Sequence, residues 1–144
     1  MTATLYRDVI LDHSRHPRNS GRLAPCTHQA RAANPLCSDE LELTLNVAGD
    51  RIDDIRAVVR GCVISQAGAS LMTTAVLHQS AGEALARADA FRRALEEPGT
   101  LLPPGLRLLQ PLLELREHRS RIGCALLAWV ALERAFAGRP PPGV

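Results

Sequence analysis

From residue 40 the chain alternates. Leu41, Leu43, Leu45 and Val47 fall on one face, and Glu42, Thr44 and Asn46 on the other. A period of two over this length predicts a half-buried β-strand. The turn "AGDR" follows, and residues 52–60 predict a second strand, paired with the first as an antiparallel hairpin. The run 21–32 is read as a third strand. Upstream, "TLYRDVILDH" spaces Leu5, Val9 and Ile10 as a short amphipathic helix does, and Pro17 and Gly21 stop it.

After Cys62 the pattern is helical to the end. "SQAGASLMTTAVLH" opens on a serine suited to capping and carries Ala67, Leu71 and Ala75 four apart. "GEALARADAFRRALEE" predicts a further helix closed by Pro98 and Gly99. "LLPPGLRLLQPLLELREH" predicts a proline-started helical segment broken near Pro111. "SRIGCALLAWVALERAFAG" gives the strongest helix, with Ile122, Leu126, Trp129, Leu132 and Phe136 as its core stripe and Gly138 and Pro140 at its end. Strands first and helices later predict an α+β domain: a small antiparallel sheet of about three strands packed against several helices. It is expected to span residues 1–138 as one domain, with 139–144 as a flexible proline-rich tail.

Composition narrows the function. A chain of 144 residues, 46% apolar, can bury a core unaided, so its four cysteines are not needed as staples. "MTATLYRDVI" holds no apolar stretch of the signal-peptide kind, and nothing downstream approaches a membrane span. The expectation is a cytoplasmic protein with reduced thiols and no membrane partner, in which spaced cysteines mean metal or sulfur chemistry. A net charge of +2 with 3% aromatic residues offers no base-stacking platform, which argues against nucleic acid. All 17 basic residues are arginines. Without lysine the chain can neither hold pyridoxal phosphate as a Schiff base nor build a phosphate-binding P-loop.

The candidate chemistry lies in "NPLCSDELEL", at Cys62 and at Cys124. Cys37 and Asp39 straddle one residue at a strand entrance and can point to the same side. Cys62 precedes a helix start, and Cys124 is placed in the first turn of the last helix, beside Arg119 and Arg121. Helix N-termini and guanidinium groups favour thiolate. Three thiolates and one carboxylate suit a tetrahedral site, with zinc as the default occupant. Taken singly, each cysteine is as well read as a small buried hydrophobe. Cys26 with His28 is a rival site, and Cys26 is otherwise a spare core or loop thiol. His13 and His16 flank a helix stop, where capping or turn roles are expected. "EHRSR", next to Cys124, reads as a solvated segment suited to partner docking.

"LYRDVILDHSRHPRNSGRL", "NPLCSDELEL", "GCVISQAGASLM" and "RIGCALLAWVALE" resemble, collinearly over nearly the whole chain, the IscU/SufU/NifU-N family of iron–sulfur cluster assembly proteins. The resemblance implies a compact α+β domain in which Cys37, Asp39, Cys62 and Cys124 form one metal or cluster site. The SufU-like branch fits best. Residues 80–118 leave room for its insertion, Gly123 stands where the IscU branch has a histidine, and the IscU chaperone motif LPPVK is missing. "LLPPG" lies too far upstream to replace that motif. SufU-like proteins bind zinc and act as sulfurtransferases that accept persulfide sulfur from a partner cysteine desulfurase (SufS-like), for delivery to downstream iron–sulfur assembly machinery. The missing lysines agree, since this chain could not perform the desulfuration. Cys37, on a loop, is the expected persulfide acceptor, and Arg121 matches an arginine that would steady a thiolate or a partner carboxylate. Ser38 departs from the usual glycine and restricts the backbone there. The alternatives are a scaffold for a [2Fe–2S] cluster and a structural zinc domain that recruits a partner.

Overall fold

A computed structural model describes residues 3–138; the expected tail, 139–144, lies outside the described residues. Three antiparallel strands form one sheet in the order β1-β2-β3, with β1 at His28–Asn34, β2 at Asp39–Ala48 and β3 at Arg51–Arg60. Asn34 pairs with Asp39 across a tight turn, and Leu43 lies between Ala30 and Ala57. The predicted inward face holds: Leu41, Leu43 and Leu45 are buried, with Val47 packed half-buried at the end. Gly49 turns the β2–β3 hairpin at φ +63, a left-handed conformation that costs glycine little.

The third strand begins later than the sequence suggested. Residues 21–27 are not strand but a cover over the polar face of β2. The Leu23 N–H donates to Thr44 Oγ1 at 3.0 Å, Arg22 pairs with Glu42 at 2.8 Å, and the Thr27 N–H bonds Asn46 Oδ1 at 3.1 Å. This covering buries Thr44, which alternation alone had placed in solvent.

Among the described residues five α-helices complete the fold: α1 Ala3–Arg15, α2 Val63–Val76, α3 Ala81–Glu96, the short α4 Gln110–Leu113 and α5 Arg119–Phe136. Short 3-10 segments, Pro104–Leu109 and Glu114–Glu117, flank α4. Pro111 marks the expected change in this segment, from the 3-10 turns that end at Leu109 to α4. It sits in the first turn of α4, where its missing N–H has no partner to lose. Helix α5 runs behind the sheet against α2 and is buried from Cys124 to Trp129 without interruption, as a central helix must be. Of its expected stripe, Leu126, Trp129 and Leu132 are buried and Ile122 and Phe136 half-buried. Phe91 of α3 packs on Trp129 with ring centroids 5.6 Å apart. Gly138 ends the helix at φ +70. Among the described residues no helix is long and apolar enough to cross a membrane.

His13 does more than mark the end of α1. Its Nδ1 meets Ser70 Oγ of α2 at 2.7 Å, and the same hydroxyl accepts the Arg18 N–H at 2.9 Å. Burial, then the Arg18 charge, holds His13 below its ordinary 6.5, with Asp12 opposing. The unfolded chain therefore takes up a proton here before the folded chain does. Stability is expected to fall as pH drops through 6.5 and to level off only below the depressed folded value. Urea unfolding midpoints across that window should show a shallower slope in His13→Gln. An unchanged slope would remove this contact from the pH response.

Candidate metal centre

Each donor arrives on a different element. Cys37 lies in the turn between β1 and β2, where its N–H bonds Asn34 O at 3.2 Å. Ser38 beside it takes φ +56, the left-handed conformation that a glycine would adopt freely. A side chain there costs on the order of 1 kcal/mol, which the turn absorbs. Asp39 opens β2 and is 1% exposed. Its Oδ1 accepts the Cys62 N–H at 2.9 Å, and its Oδ2 accepts the Ser65 hydroxyl. Gly61 makes this approach feasible, because a Cβ there would overlap the Asp39 carboxylate, 2.8 Å from its Cγ.

Cys62, not Ser65, caps α2. Cys62 is extended at φ −71 and ψ 170, and its sulfur accepts the Ser65 N–H at 3.4 Å. Ser65 is thereby freed to bind Asp39. Cys124 is also displaced from its expected place: it is the sixth residue of α5, beyond the first turn, and is buried. The helix dipole reaches it only weakly there.

The sulfurs of Cys37 and Cys124 lie 3.2 Å apart, and ligand atoms of Cys37, Asp39 and Cys124 all fall within 4.8 Å of one another. Cys62 joins through Asp39, with its sulfur 3.6 Å from Oδ2. The structure thus brings all four predicted side chains to one pocket, three of them as a close cluster. Arg121 is exposed on the first turn of α5, and among the described residues its guanidinium bonds none of the four. Cys26 stands apart: its neighbour His28 stacks on Phe136 at 5.3 Å and bonds Thr27, and no metal-ligand group among the described residues includes either.

The electrostatics oppose the expectation of a ready thiolate at Cys124. Burial first, then hydrogen bonding with Cys37, Asp39 and Cys62 and the charge on Cys62, pushes this thiol far above its ordinary 9.0. Asp39 goes the other way. Burial would raise its carboxyl, but hydrogen bonds from Ser65, the Cys62 N–H, Cys124 and Cys62 together hold it below 3.8. Ionising three thiols around this carboxylate would stack four like charges in a buried pocket, which a divalent cation relieves. The donor set fits such an ion. Zinc–sulfur bonds of about 2.3 Å put tetrahedral donors about 3.8 Å apart; the Cys37 and Cys124 sulfurs stand at 3.2 Å and the ligand atoms of Cys37, Asp39 and Cys124 within 4.8 Å, while the Cys62 sulfur lies outside that close group.

Two functional positions escaped the sequence reading besides Ser65. Asn34, buried at 8%, donates from Nδ2 to Cys124 Sγ at 3.5 Å. Gly61 clears the carboxylate. Asn34 could have been found from its even spacing with Ala30 and Ala32, which puts a polar side chain on the buried face.

Comparison with known proteins finds relatives along most of the chain. The NifU-like N terminal domain model matches residues 5–104, a stretch that holds Cys37, Asp39 and Cys62 and ends before Cys124. The zinc-dependent sulfurtransferase SufU of Bacillus subtilis (strain 168) is 35% identical over 134 residues, 93% of this chain and 90% of that protein. The iron–sulfur cluster assembly scaffold protein IscU of Streptococcus pyogenes serotype M1 is 37% identical over 132 residues, 92% of this chain and 82% of its own length. The crystal structure of the N-terminal part of a nitrogen-fixing NifU-like protein from Brucella abortus superimposes with a TM-score of 0.86. That match is 23% identical, over 94% of this chain and 96% of that one, and it shows the shared fold.

Proposed function

The chain belongs to the NifU-like N-terminal domain family, and on that premise we propose that it is a zinc-holding sulfur carrier of iron–sulfur cluster assembly. The observation that carries this reading is the pairing of unlike cysteines: Cys37, half-buried on a turn, stands 3.2 Å from Cys124, buried on the central helix. One can move while the other stays. Leu36, next to Cys37, is 84% exposed, so the turn faces solvent where a donor would approach. The relative described as a zinc-dependent sulfurtransferase supports the same choice.

Cys37, Asp39, Cys62 and Cys124 would hold the zinc, which keeps thiolates deprotonated at neutral pH and orders the pocket. Ser65 and the Cys62 N–H orient the Asp39 carboxylate, and α5 anchors Cys124. The Cys37 thiolate, released from the pocket, attacks the outer sulfur of a persulfide on the donor. A new sulfur–sulfur bond forms on Cys37, the donor's own sulfur–sulfur bond breaks, and the electron pair leaves on the donor cysteine as thiolate. The donor in this reading is a cysteine desulfurase; this chain lacks the lysine that pyridoxal phosphate chemistry needs and so does not make the persulfide itself by that route. Exposed Arg119 and Arg121 suit docking to its carboxylates. The sulfur passes on to downstream assembly proteins.

A second reading, assembly of a [2Fe–2S] cluster on the same four side chains, is favoured by the IscU relative. A structural zinc domain is the third. Mixing the protein with free cysteine and a SufS-like desulfurase separates the carrier from the structural domain. Alone it should release no sulfide. With the enzyme it should raise desulfurase turnover, in a manner lost with Cys37→Ser. Stimulation that survives Cys37→Ser would reduce the protein to a docking module.

A further inference from the structure

Asn34 closes β1, and both ends of its carboxamide are used. Oδ1 accepts the Leu36 N–H at 3.3 Å. Only a carbonyl oxygen can accept there, so the amide orientation is settled and Nδ2 faces the thiols. From that side Nδ2 donates to Cys124 Sγ at 3.5 Å, while the Asn34 backbone carbonyl accepts the Cys37 N–H at 3.2 Å. One buried residue thus fastens two amides of the 35–38 turn and touches the anchored sulfur.

Room for this side chain comes from α5. A Cβ on Gly123 would stand 3.0 Å from Asn34 Nδ2, closer than ordinary contact, with Cγ at 3.5 Å just in contact. Gly123 lies within a helix and has no left-handed φ, so nothing in its own backbone calls for glycine. Glycine there weakens the helix relative to alanine. Clearance for Asn34 accounts for it.

We propose that Asn34 is a positioning residue of the metal centre and that Gly123 is its matched partner. Its N–H draws charge from the Cys124 sulfur and fixes that ligand's direction, and its two other bonds hold the turn that delivers Cys37. Release of Cys37 toward a sulfur donor breaks the bonds to the turn and leaves the bond to Cys124 in place. The inference rests on reading Cys37, Asp39, Cys62 and Cys124 as ligands.

Cobalt(II), bound to the full-length metal-free chain, reports on both claims through its sulfur-to-metal charge-transfer bands. Wild type should show these bands, and Cys124→Ser should lose much of their intensity. Asn34→Ala should keep the intensity, move the bands to longer wavelength as the sulfur becomes more electron-rich, and weaken cobalt binding about 10- to 100-fold. Gly123→Ala, a helix-favouring change that leaves Asn34 in the chain, should shift the bands the same way by less. In the double variant the alanine at 123 should add nothing to Asn34→Ala. Bands lost in Cys124→Ser, yet unmoved and equally tight in both Asn34→Ala and Gly123→Ala, would overturn the role of Asn34 alone. No thiolate bands in wild type would overturn the ligand reading and this inference with it.

Discussion

Replacing Cys124 by serine is expected to strip the purified protein of most of its metal, while Cys26→Ser keeps a single metal per chain. Cys124 is 1% exposed on the helix that runs through the core, so the site cannot draw another donor into its place by local rearrangement. A serine hydroxyl in that pocket is a harder and far less acidic ligand than a thiol. Loss of a ligand's hydrogen-bond partner already costs about 10- to 100-fold in metal affinity, and loss of the ligand itself should cost more. Cys26 lies outside the cluster, beside a histidine occupied with Phe136 and Thr27. Metal analysis of the two variants beside wild type checks this. Equal losses would mean that the site has been drawn around the wrong cysteines.

The second large effect is expected at Asp39. Asp39→Ala removes the one carboxylate among three thiols and leaves the Cys62 N–H and the Ser65 hydroxyl without their acceptor. Each orphaned buried donor costs about 1–3 kcal/mol, so the variant should be both less stable and poorer in zinc. It should also accept less sulfur, since a water in the fourth position would no longer be held as Asp39 is. Gly61→Ala tests the same point with the carboxylate still present, because the added methyl overlaps it. It should lower zinc content in the same direction. Metal content and visible absorption after anaerobic purification give the readout. A brown Asp39→Ala protein with a lasting iron–sulfur spectrum would instead favour the scaffold reading, in which the carboxylate is the cluster's way out.

Much of this was legible in the residues, for reasons that also explain the misses. Alternation along 41–47 located β2 because a sheet with one face on the core writes its period into the chain. The strand at His28–Asn34 was harder to bound. "HQARAAN" carries alanines where strands usually carry β-branched residues, so nothing local marked its start. The covering of Thr44 by residues 21–27 is a tertiary event that alternation cannot encode. At the site, the four donors were marked by type and by resemblance. Their supports were not. Ser65 looked like a helix cap, and only the Cys62 sulfur taking that role shows why its hydroxyl turns to Asp39. Cys124 looked like a first-turn residue because Arg119 and Ser120 gave no sign that the helix had already begun. Gly61 read as a neutral letter, and Gly123 only as the place of a missing histidine, until the neighbouring carboxylate and carboxamide were seen against them.

The central claim is that Cys37 moves and carries sulfur while Cys124 stays. Its most direct test is mass spectrometry of this protein after a single turnover with a cysteine desulfurase and isotopically labelled cysteine. One labelled sulfur should be found on the peptide containing Cys37, and none on those containing Cys62 or Cys124. Label found only on Cys62 or Cys124, or on no cysteine at all, would contradict the account.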